Sequence, residues 1–332
     1  MKKILIWGAS GNLGIYLTDF LQSKLPSDEF EIVAIGRRKT DFFAKRGIEY
    51  IRLDVNDTDR FSILPDTDVY AVIDLANLLP AQIVDYNPYD YFKINTIGTL
   101  NILEYMRKVN ADRILFTQTY ADLGGHFNKE FVLGNHLPRS LNYQTDHTVY
   151  AISKVAAEDL IENYHQVYGI KNFIFRLPNI YMYSPAKYYF VNGVKTLISY
   201  RYIIERAIQG LPIELWGDPQ RARDIVYVKD FCQMVFLALL AERSSGHYNV
   251  GTGIATTLQK QIEGIIEVFS PENHPSEIIF RPDKPHAMQY VMDIENAKQE
   301  LGYQPRYDYI GYLRDYKLEM ELKRFDEAFQ KG

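Results

Sequence analysis

A tyrosine and a lysine four positions apart, Tyr150 and Lys154, are the residues best suited by type and spacing to do chemistry. On a helix, side chains at i and i+4 lie on the same face, one turn apart. An ammonium group at that distance favours the phenolate, so we expect the pKa of Tyr150 to fall below its ordinary value of about 10. Such a phenol can exchange a proton with a carbinol oxygen while a hydride moves between the carbinol carbon and a nicotinamide ring.

The spacing alone is weak evidence, because the chain contains 26 tyrosines. The Tyr-x-x-x-Lys pattern occurs at Tyr89/Lys93, Tyr150/Lys154 and Tyr183/Lys187. Pro185 interrupts the last pair, which disfavours a regular helix there. The structural alternative for the middle pair is an amphipathic helix with a solvated lysine. Its neighbours in the sequence distinguish it from the other two.

A dinucleotide-binding start is indicated at the N-terminus. The apolar run Lys3–Trp7 predicts a strand, and Gly8-x-x-Gly11-x-x-Gly14 follows it directly, before a helix predicted over Asn12–Leu25. Glycine lets the backbone turn sharply beside a pyrophosphate, and the helix N-terminus offers free N–H groups to it. We expect cofactor contacts along the whole turn, from Gly8, Ser10, Gly11, Asn12, Leu13 and Gly14.

The next predicted strand, Glu31–Ile35, ends in Gly36-Arg37-Arg38. Enzymes that select NAD usually place an acidic residue here, where it binds the ribose 2′-hydroxyl. Two arginines suit a 2′-phosphate instead, through paired charge-assisted hydrogen bonds. The alternative is a solvated basic turn. The sequence therefore predicts NADP(H) in preference to NAD(H).

Two further predicted strands carry the remaining cofactor candidates at their ends. Glu49–Leu53 precedes Asp54 and Val55, and the apolar run Val69–Leu75 precedes Ala76 and Asn77. Asp54 either accepts a hydrogen bond from the adenine amino group or caps a turn. The small residues Ala76 and Asn77 would let the cofactor approach closely, and Val55 and Leu75 are further candidates for cofactor contact. Nearly continuous apolar strands of this kind are typical of a parallel sheet covered on both faces.

Thr119 follows the fifth predicted strand, Arg113–Thr117, which comes after a helix predicted over Tyr91–Val109. Ligands bind at the carboxyl ends of strands in doubly wound sheets, so Thr119 could donate a hydrogen bond to a substrate oxygen. The alternative is a turn-forming threonine. Apolar residues at helical spacing predict a helix around Tyr150, begun by Asp146 or Thr148 and ended by Gly169.

Composition limits the class of protein. The chain has 332 residues, 47% of them hydrophobic, and a net charge of −5, which does not suggest a nucleic-acid partner. Its one cysteine, Cys232, lies in an apolar run, which predicts a core residue and a reducing, cytoplasmic compartment. We see no signal peptide or membrane span, and no metal-ligand pattern among the three histidines (His126, His136, His147) of Gly124–His147, which we interpret as a surface loop over the substrate.

The order of these motifs resembles the extended short-chain dehydrogenase/reductase family, and in particular its nucleotide-sugar epimerases, dehydratases and 4-keto reductases. The matching segments are Gly8-x-x-Gly11-x-x-Gly14, Asn95-x-x-Gly98-Thr99, Thr119, Tyr150-x-x-x-Lys154, Arg176-Leu-Pro-Asn179-Ile-Tyr181, Arg223-Asp224 and Tyr248-Asn-Val-Gly251. The resemblance implies an α/β fold, a doubly wound parallel (Rossmann) sheet with a smaller, mainly C-terminal substrate lobe. It places the cofactor domain at 1–176 and 222–251, and the lobe at 177–221 and 252–332.

The resemblance also implies roles for individual residues. Tyr150 would be the acid/base, Lys154 would tune it and bind the nicotinamide ribose, and Thr119 would orient the substrate C4 oxygen. Further candidates are Asn95 for the cofactor, and Asn179, Arg223 and Arg281 for the nucleotide sugar. An ion pair with a carboxylate is the structural alternative for Arg223. Family members pair through the helices corresponding to Tyr91–Val109 and Thr148–Tyr168, which implies a homodimer.

Departures from the family pattern narrow the expected reaction. Dehydratases of the family have an Asp-Glu pair after the catalytic threonine, whereas Tyr120-Ala121 follows Thr119. The strand that usually ends His-x-Ala-Ala ends here in Asp74-Leu-Ala-Asn77. We therefore expect a C4 epimerase that works through a transient 4-keto sugar. The alternatives are an NADPH-dependent 4-keto reductase and, less favoured, a non-catalytic NADP(H) sensor.

Overall fold

The computed structural model describes residues 1–82, 84–129, 131–144, 147–191 and 194–329. At its centre is a sheet of seven strands in the order β7-β6-β5-β4-β1-β2-β3, with every neighbouring pair parallel. The strands are β1 (Lys2–Trp7), β2 (Phe30–Gly36), β3 (Glu49–Arg52), β4 (Val69–Asp74), β5 (Arg113–Thr119), β6 (Lys171–Leu177) and β7 (Ser245–Asn249). The predicted doubly wound fold is confirmed.

Helices cover both faces of the sheet and build the C-terminal part. They are α1 (Asn12–Lys24), α2 (Pro88–Tyr91), α3 (Gly98–Val109), α4 (His147–Tyr168), α5 (Ser199–Ile208), α6 (Val228–Leu240), α7 (Leu258–Phe269), α8 (Glu295–Leu301), α9 (Tyr309–Leu322) and α10 (Asp326–Phe329). Short 3-10 segments lie at Ala44–Arg46, Thr58–Ile63, Pro80–Gln82 and Tyr120–His126. Nowhere in the described ranges does a helix combine the length and apolar character needed to cross a bilayer.

Pairs of short strands complete the smaller C-terminal lobe and join it to the sheet. They are Tyr188–Val191 with Val194–Leu197, Ile213–Trp216 with Ile278–Arg281, Ala222–Arg223 with Thr256–Thr257, Ile180–Tyr181 with Val226–Tyr227, and Val132–Leu133 with Val291–Met292. One apolar core lies between the sheet and α1 and α6 and continues into the lobe, while the other lies under α3 and α4. Cys232 is buried in the first core, as predicted.

The helix predicted over Tyr91–Val109 is confirmed, but it is not regular. A π-helical segment, Phe92–Ile97, lies between α2 and α3. The widened turn buries Asn95 completely, with its amide group directed at neighbouring segments. Periodicity could not reveal this segment, because such bulges arise from tertiary contacts and occur often at functional sites.

The predicted ends of the helix that carries Tyr150 have different outcomes. Gly169, with φ of 74°, follows the last residue of α4, and its N–H donates to the His165 carbonyl at 3.0 Å. That end is confirmed. Asp146 lies outside the described residues. The Thr148 hydroxyl donates to the carbonyl of Asn142, so it fastens the preceding loop to the helix.

The C-terminal segment Tyr309–Phe329 is divided into two helices and carries a buried apolar face. The chain bends at Lys323, whose φ is 50°, and α10 follows as a separate turn. Tyr312 and Tyr316 are buried by the aromatic side chains of the lobe, and Phe325 is only 3% exposed. The apolar face is difficult to recognise in the sequence, because charged and apolar residues are interspersed along the segment.

A buried ion pair connects the carboxyl ends of β6 and β7 to the chain segments that pack against them. Arg176, at the end of β6, donates to Asp122 from Nε at 3.0 Å and from Nη2 at 2.8 Å. Its Nη1 donates at 3.0 Å to Asn249 of β7. Asn249 in turn donates to the carbonyl oxygens of Leu133 and Asp293 at 2.8 and 3.1 Å. Burial raises the pKa of Asp122, and the guanidinium of Arg176 opposes that rise.

We predict that Asp122→Asn lowers the free energy of unfolding by about 3–5 kcal/mol, because Arg176 is left as an unpaired buried charge. Urea denaturation of the purified variant measures it. The control is Glu267→Gln, since the ion pair of Glu267 with Arg314 has side chains 56% and 69% exposed. That change should stay within about 1 kcal/mol. Equal effects of the two substitutions would contradict the structural role of the buried pair.

Candidate active site

A cleft of about 520 Å³ lies at the carboxyl ends of β1, β2, β3 and β4. It brings together most of the cofactor residues predicted from the sequence. Those that line it are Gly8, Ser10, Gly11, Asn12, Leu13, Gly14, Arg37, Arg38, Asp54, Val55, Leu75 and Ala76. Asn95, Tyr150 and Lys154 lie outside its lining. Asn77, which was predicted with Ala76 to let the cofactor approach, also lines the cleft. Trp7, Gly36, Leu53, Leu79 and Ile94 line it as well and were not predicted.

The glycine turn fits a pyrophosphate. Gly8 has φ of 78°, and a Cβ at Gly8 would lie 2.7 Å from the carbonyl carbon of Leu75. A Cβ at Gly14 would lie 2.3 Å from the Gly8 carbonyl oxygen, so the turn and α1 pack without room for a side chain. The N-cap of α1, Gly11, makes no side-chain cap hydrogen bond. The first N–H groups of the helix therefore remain able to bind an anion.

The two arginines after β2 have different surroundings. The side chain of Arg37 is 63% exposed, and its Nη1 lies 3.7 Å from Asp54 Oδ2. Arg38 donates from Nη1 to the carbonyl of Ala328 at 2.5 Å. Asp54 also accepts from the N–H of Asn56 at 2.9 Å, so it does form the turn that was one of its two predicted roles. Its contact with adenine stays a prediction.

Tyr150 and Thr119 meet at the carboxyl end of β5. Both are buried, at 9% and 7% exposure. Burial raises the pKa of Tyr150, and the Thr119 side chain opposes the rise only partly. The expectation of a lowered pKa is therefore wrong for this structure, because removal of the phenol from water disfavours the phenolate and no charge from Lys154 offsets it.

Lys154 is 2% exposed, with its Nζ 3.8 Å from the centre of the Phe116 ring. Burial lowers its pKa to about 8, against the opposing charges of Asp74 and Glu158. Asp74, fully buried at the end of β4, accepts from Thr99 Oγ1 at 2.9 Å and from the Ala76 N–H at 3.0 Å. Sequence reasoning noted Asp74 only as a departure from the family pattern and missed its position beside the lysine.

A buried glutamine links Thr119 to the helix of Tyr150. Gln118 Oε1 accepts from the Thr119 N–H at 2.7 Å, and its Nε2 donates to the Lys154 carbonyl at 3.1 Å and to Glu158 at 2.5 Å. Glu158 also lies 3.3 Å from His247 Nε2 and 2.9 Å from Arg139 Nη2. Glu158 was not predicted, although its place one helical turn beyond Lys154 could have identified it.

Asn95 occupies a different position from the one expected of a cofactor ligand. Its Oδ1 accepts from the Leu78 N–H at 2.7 Å, and its Nδ2 donates to Ser153 Oγ at 3.0 Å. Ser153 lies on α4 directly before Lys154. Asn95 therefore joins the segment after β4 to the helix of Tyr150, and its role toward the cofactor stays a prediction.

The predicted substrate residues are not equally free to bind an anion. Arg223 is half-buried among the phenols of Tyr181, Tyr290, Tyr120 and Tyr309, and in the described part of the chain it forms no ion pair with a carboxylate. Arg281 is paired with Glu214 at 2.7 Å and with Asp283 at 3.3 Å. Asn179 is exposed between β6 and the strand Ile180–Tyr181.

The tyrosines of the other two Tyr-x-x-x-Lys pairs lie in different surroundings from Tyr150. Tyr89 is 82% exposed in α2, and Tyr183 lies outside any helix, as Pro185 predicted. Tyr181, Tyr183 and Tyr200 pack in the aromatic core of the lobe.

The Gly124–His147 segment, described except for Glu130, Thr145, Asp146 and the side chain of His147, is held to α4 by ion pairs from Arg139 to Glu158 and Asp159.

We predict that Glu158 stabilises the fold only above acidic pH. Burial alone would raise its pKa, but His247, Gln118 and Arg139 together lower it from 4.5 to about 2. Its contribution is therefore complete above the unfolded-state pKa and is lost as pH falls from about 5 to 2, by about 3 kcal/mol. Denaturation across this range should show the difference between wild type and Glu158→Gln shrinking. The Glu267→Gln control should show no such convergence, and a constant difference for Glu158→Gln would contradict the assignment.

A family model and a curated protein both match this chain over most of its length. The NAD dependent epimerase/dehydratase family model matches residues 4–251. A Methanocaldococcus jannaschii protein assigned as a UDP-glucose 4-epimerase is 29% identical over 92% of this chain and 94% of its own.

Solved structures share the fold. The Thermotoga maritima UDP-glucose 4-epimerase with UDP-glucose has a TM-score of 0.76 at 21% identity, covering 97% of this chain and 99% of that one. The Bacillus cereus UDP-glucuronic acid 4-epimerase with NAD has a TM-score of 0.73 at 19% identity, covering 96% and 99%. The chain belongs to the NAD-dependent epimerase/dehydratase family and is an enzyme of that family.

Proposed function

We propose that this enzyme is a C4 epimerase of a nucleotide-linked sugar that works through a transient 4-keto intermediate. The observation that carries the proposal is the buried Tyr150 phenol, which lies beside Thr119 and one helical turn from Lys154. The similarity to 4-epimerases of UDP-sugars supports the same reaction class. The residue after Thr119 supports it further, because Tyr120 offers no carboxylate for the expulsion of water.

The chain's own groups supply the proton chemistry. Thr119 orients the C4 oxygen by a hydrogen bond, while Tyr150 removes its proton in one half of the cycle and returns a proton in the other. Lys154 is charged below its pKa of about 8, and a charged neighbour favours the phenolate that the first half requires. A nicotinamide ring, when bound, supplies the acceptor and donor of the hydride.

An NADPH-dependent 4-keto reductase is the second candidate. Burial keeps Tyr150 protonated at neutral pH, and a protonated phenol is the acid that reduction of a ketone needs. The two arginines that follow β2 in the sequence, where NAD-selecting enzymes usually place an acidic residue, support the preference for NADP(H) over NAD(H) that we propose. The NAD bound to the similar Bacillus cereus enzyme is the counter-indication.

We assign the sugar-nucleotide diphosphate to Arg223 and Asn179. A half-buried guanidinium surrounded by phenols keeps its full charge for an anion, since phenols are neutral at physiological pH. Arg281 can contribute only by exchanging Glu214 and Asp283 for a phosphate. The lobe that binds the sugar then comprises 177–221 and 252–332, on a cofactor domain of 1–176 and 222–251.

We also propose a cytoplasmic homodimer that associates through α3 and α4. Ile97 at the start of α3 and Val167 and Tyr168 at the end of α4 are 47%, 59% and 51% exposed. Apolar side chains with this exposure would be covered by a second copy of the helix pair. Analytical ultracentrifugation gives the oligomeric state.

We predict that Tyr150→Phe lowers turnover at least about a hundredfold, the usual loss when a general acid/base is removed, while dinucleotide binding survives. Turnover of nucleotide sugars and cofactor affinity are measured on the same preparation. Tyr89→Phe is the control, because Tyr89 belongs to another Tyr-x-x-x-Lys pair and is 82% exposed. Near-wild-type turnover of Tyr150→Phe would reject the mechanism.

The dinucleotide released on denaturation separates the two candidates. We expect close to one NADP⁺ or NAD⁺ per chain for an epimerase, whose cofactor is regenerated in place, and its phosphate content tests the assignment of Arg37 and Arg38. A protein that arrives empty and consumes NADPH stoichiometrically with a 4-keto sugar would be the reductase. Binding of dinucleotide without turnover of any nucleotide sugar would restore the sensor hypothesis.

A further inference from the structure

We propose that the C-terminal segment Arg324–Phe329 is a positioning element of the dinucleotide site, which holds the Arg38 guanidinium in place for a phosphate on the adenosine ribose. The inference rests on the proposed preference for NADP(H). It assigns different roles to the two arginines after β2, and it gives a function in cofactor selection to a segment that lies about 290 positions further along the chain.

The segment is anchored before it reaches the cleft. Phe325 is 3% exposed, with its ring centre 4.6 Å from that of Tyr16 on α1 and 6.1 Å from that of Phe42 in the loop after β2. Arg46 in the same loop donates from Nη2 to the Arg324 carbonyl at 3.2 Å. The C-terminal segment and the loop that carries the two arginines therefore form one packed unit.

From this anchor, α10 extends to Arg38. The carbonyl of Ala328 accepts from Arg38 Nη1 at 2.5 Å, and the Arg38 guanidinium lies 5.6 Å from the centre of the Phe329 ring. Glu327 forms an ion pair with Lys45, which also lies 3.0 Å from Asp41. The segment thus contacts the loop after β2 at both of its ends.

The backbone of the arginine pair is fixed as well. Tyr50 donates its hydroxyl to the Arg38 carbonyl at 2.6 Å, and its ring stacks on Phe43 at 5.1 Å. The Arg37 carbonyl accepts from Arg52 Nε at 3.0 Å. These bonds fix the main chain but not the orientation of either guanidinium. Of the two side chains, the C-terminal segment orients that of Arg38.

The chemistry of the Ala328 contact leaves Arg38 able to bind an anion. A carbonyl oxygen orients a guanidinium but does not neutralise it, and one hydrogen bond leaves four of the five N–H donors. Arg37 instead shares its charge with Asp54 and is mostly exposed. Since both side chains line the cleft, Arg38 is the preorganised cation and Arg37 the mobile one.

The test is a double-mutant cycle on the full chain. The first variant ends at Phe325 and removes α10, the second is Arg38→Ala, and the third combines them. A chain that ends at Phe329 is the matched control. Calorimetric titration gives Kd for NADP⁺ and for NAD⁺, and thermal denaturation confirms that each variant is folded.

We expect removal of α10 to raise Kd for NADP⁺ about tenfold, as for one hydrogen bond to a charged group, with little change for NAD⁺. In the Arg38→Ala background the same truncation should have no further effect, because coupled residues are not additive. If the truncated chain does not fold, Phe329→Ala should raise Kd for NADP⁺ about twofold to fivefold.

Three outcomes would overturn the inference: a parallel loss of NAD⁺ affinity, an additive effect with Arg38→Ala, or tighter NADP⁺ binding after truncation. The inference alone would be rejected if the wild type binds NAD⁺ and epimerises a nucleotide sugar while the chain that ends at Phe325 binds NADP⁺ as tightly as the wild type. Wild-type protein that binds neither dinucleotide would reject the proposed function instead.

Discussion

The ion pair between Arg176 and Asp122 is the interaction that holds together the segments at the carboxyl ends of β5, β6 and β7. Both side chains are buried, so each charge must keep its partner, and Asn249 extends the pair to the main chain of Leu133 and Asp293. Asp122 lies three residues after Thr119. The same contacts that join the lobe to the sheet therefore also fix the segment that presents the Thr119 hydroxyl.

The side chains around Tyr150 and Lys154 are buried, and few of them are charged. Lys154 lies among Phe116, Asp74 and Glu158, and burial moves its pKa toward neutrality while the two carboxylates oppose the change. Burial moves the pKa of Tyr150 the opposite way. Because desolvation disfavours the charged form of each group, burial keeps the phenol protonated and brings Lys154 closer to losing its proton near neutral pH.

The two ends of the chain meet at the cofactor cleft. The glycine turn lies near the N-terminus, whereas Arg324–Phe329 returns from the lobe to pack on α1 and on the loop after β2. The surroundings of the cleft are therefore not completed by consecutive residues, because a segment from the far end of the chain packs against the loop that lines it.

The sequence by itself determined the first five parallel strands, the glycine turn and most of the lining of the cleft, because these follow from local periodicity and from residue types that the backbone requires. It also placed Tyr150 and Lys154 on one helix. Only the tertiary structure decided the direction of the Tyr150 pKa shift, since desolvation depends on everything packed around a group. The same holds for the π-helical segment around Asn95, the aromatic burial of α9 and the contact of Arg38 with Ala328, because each joins residues far apart in the chain that no local pattern relates.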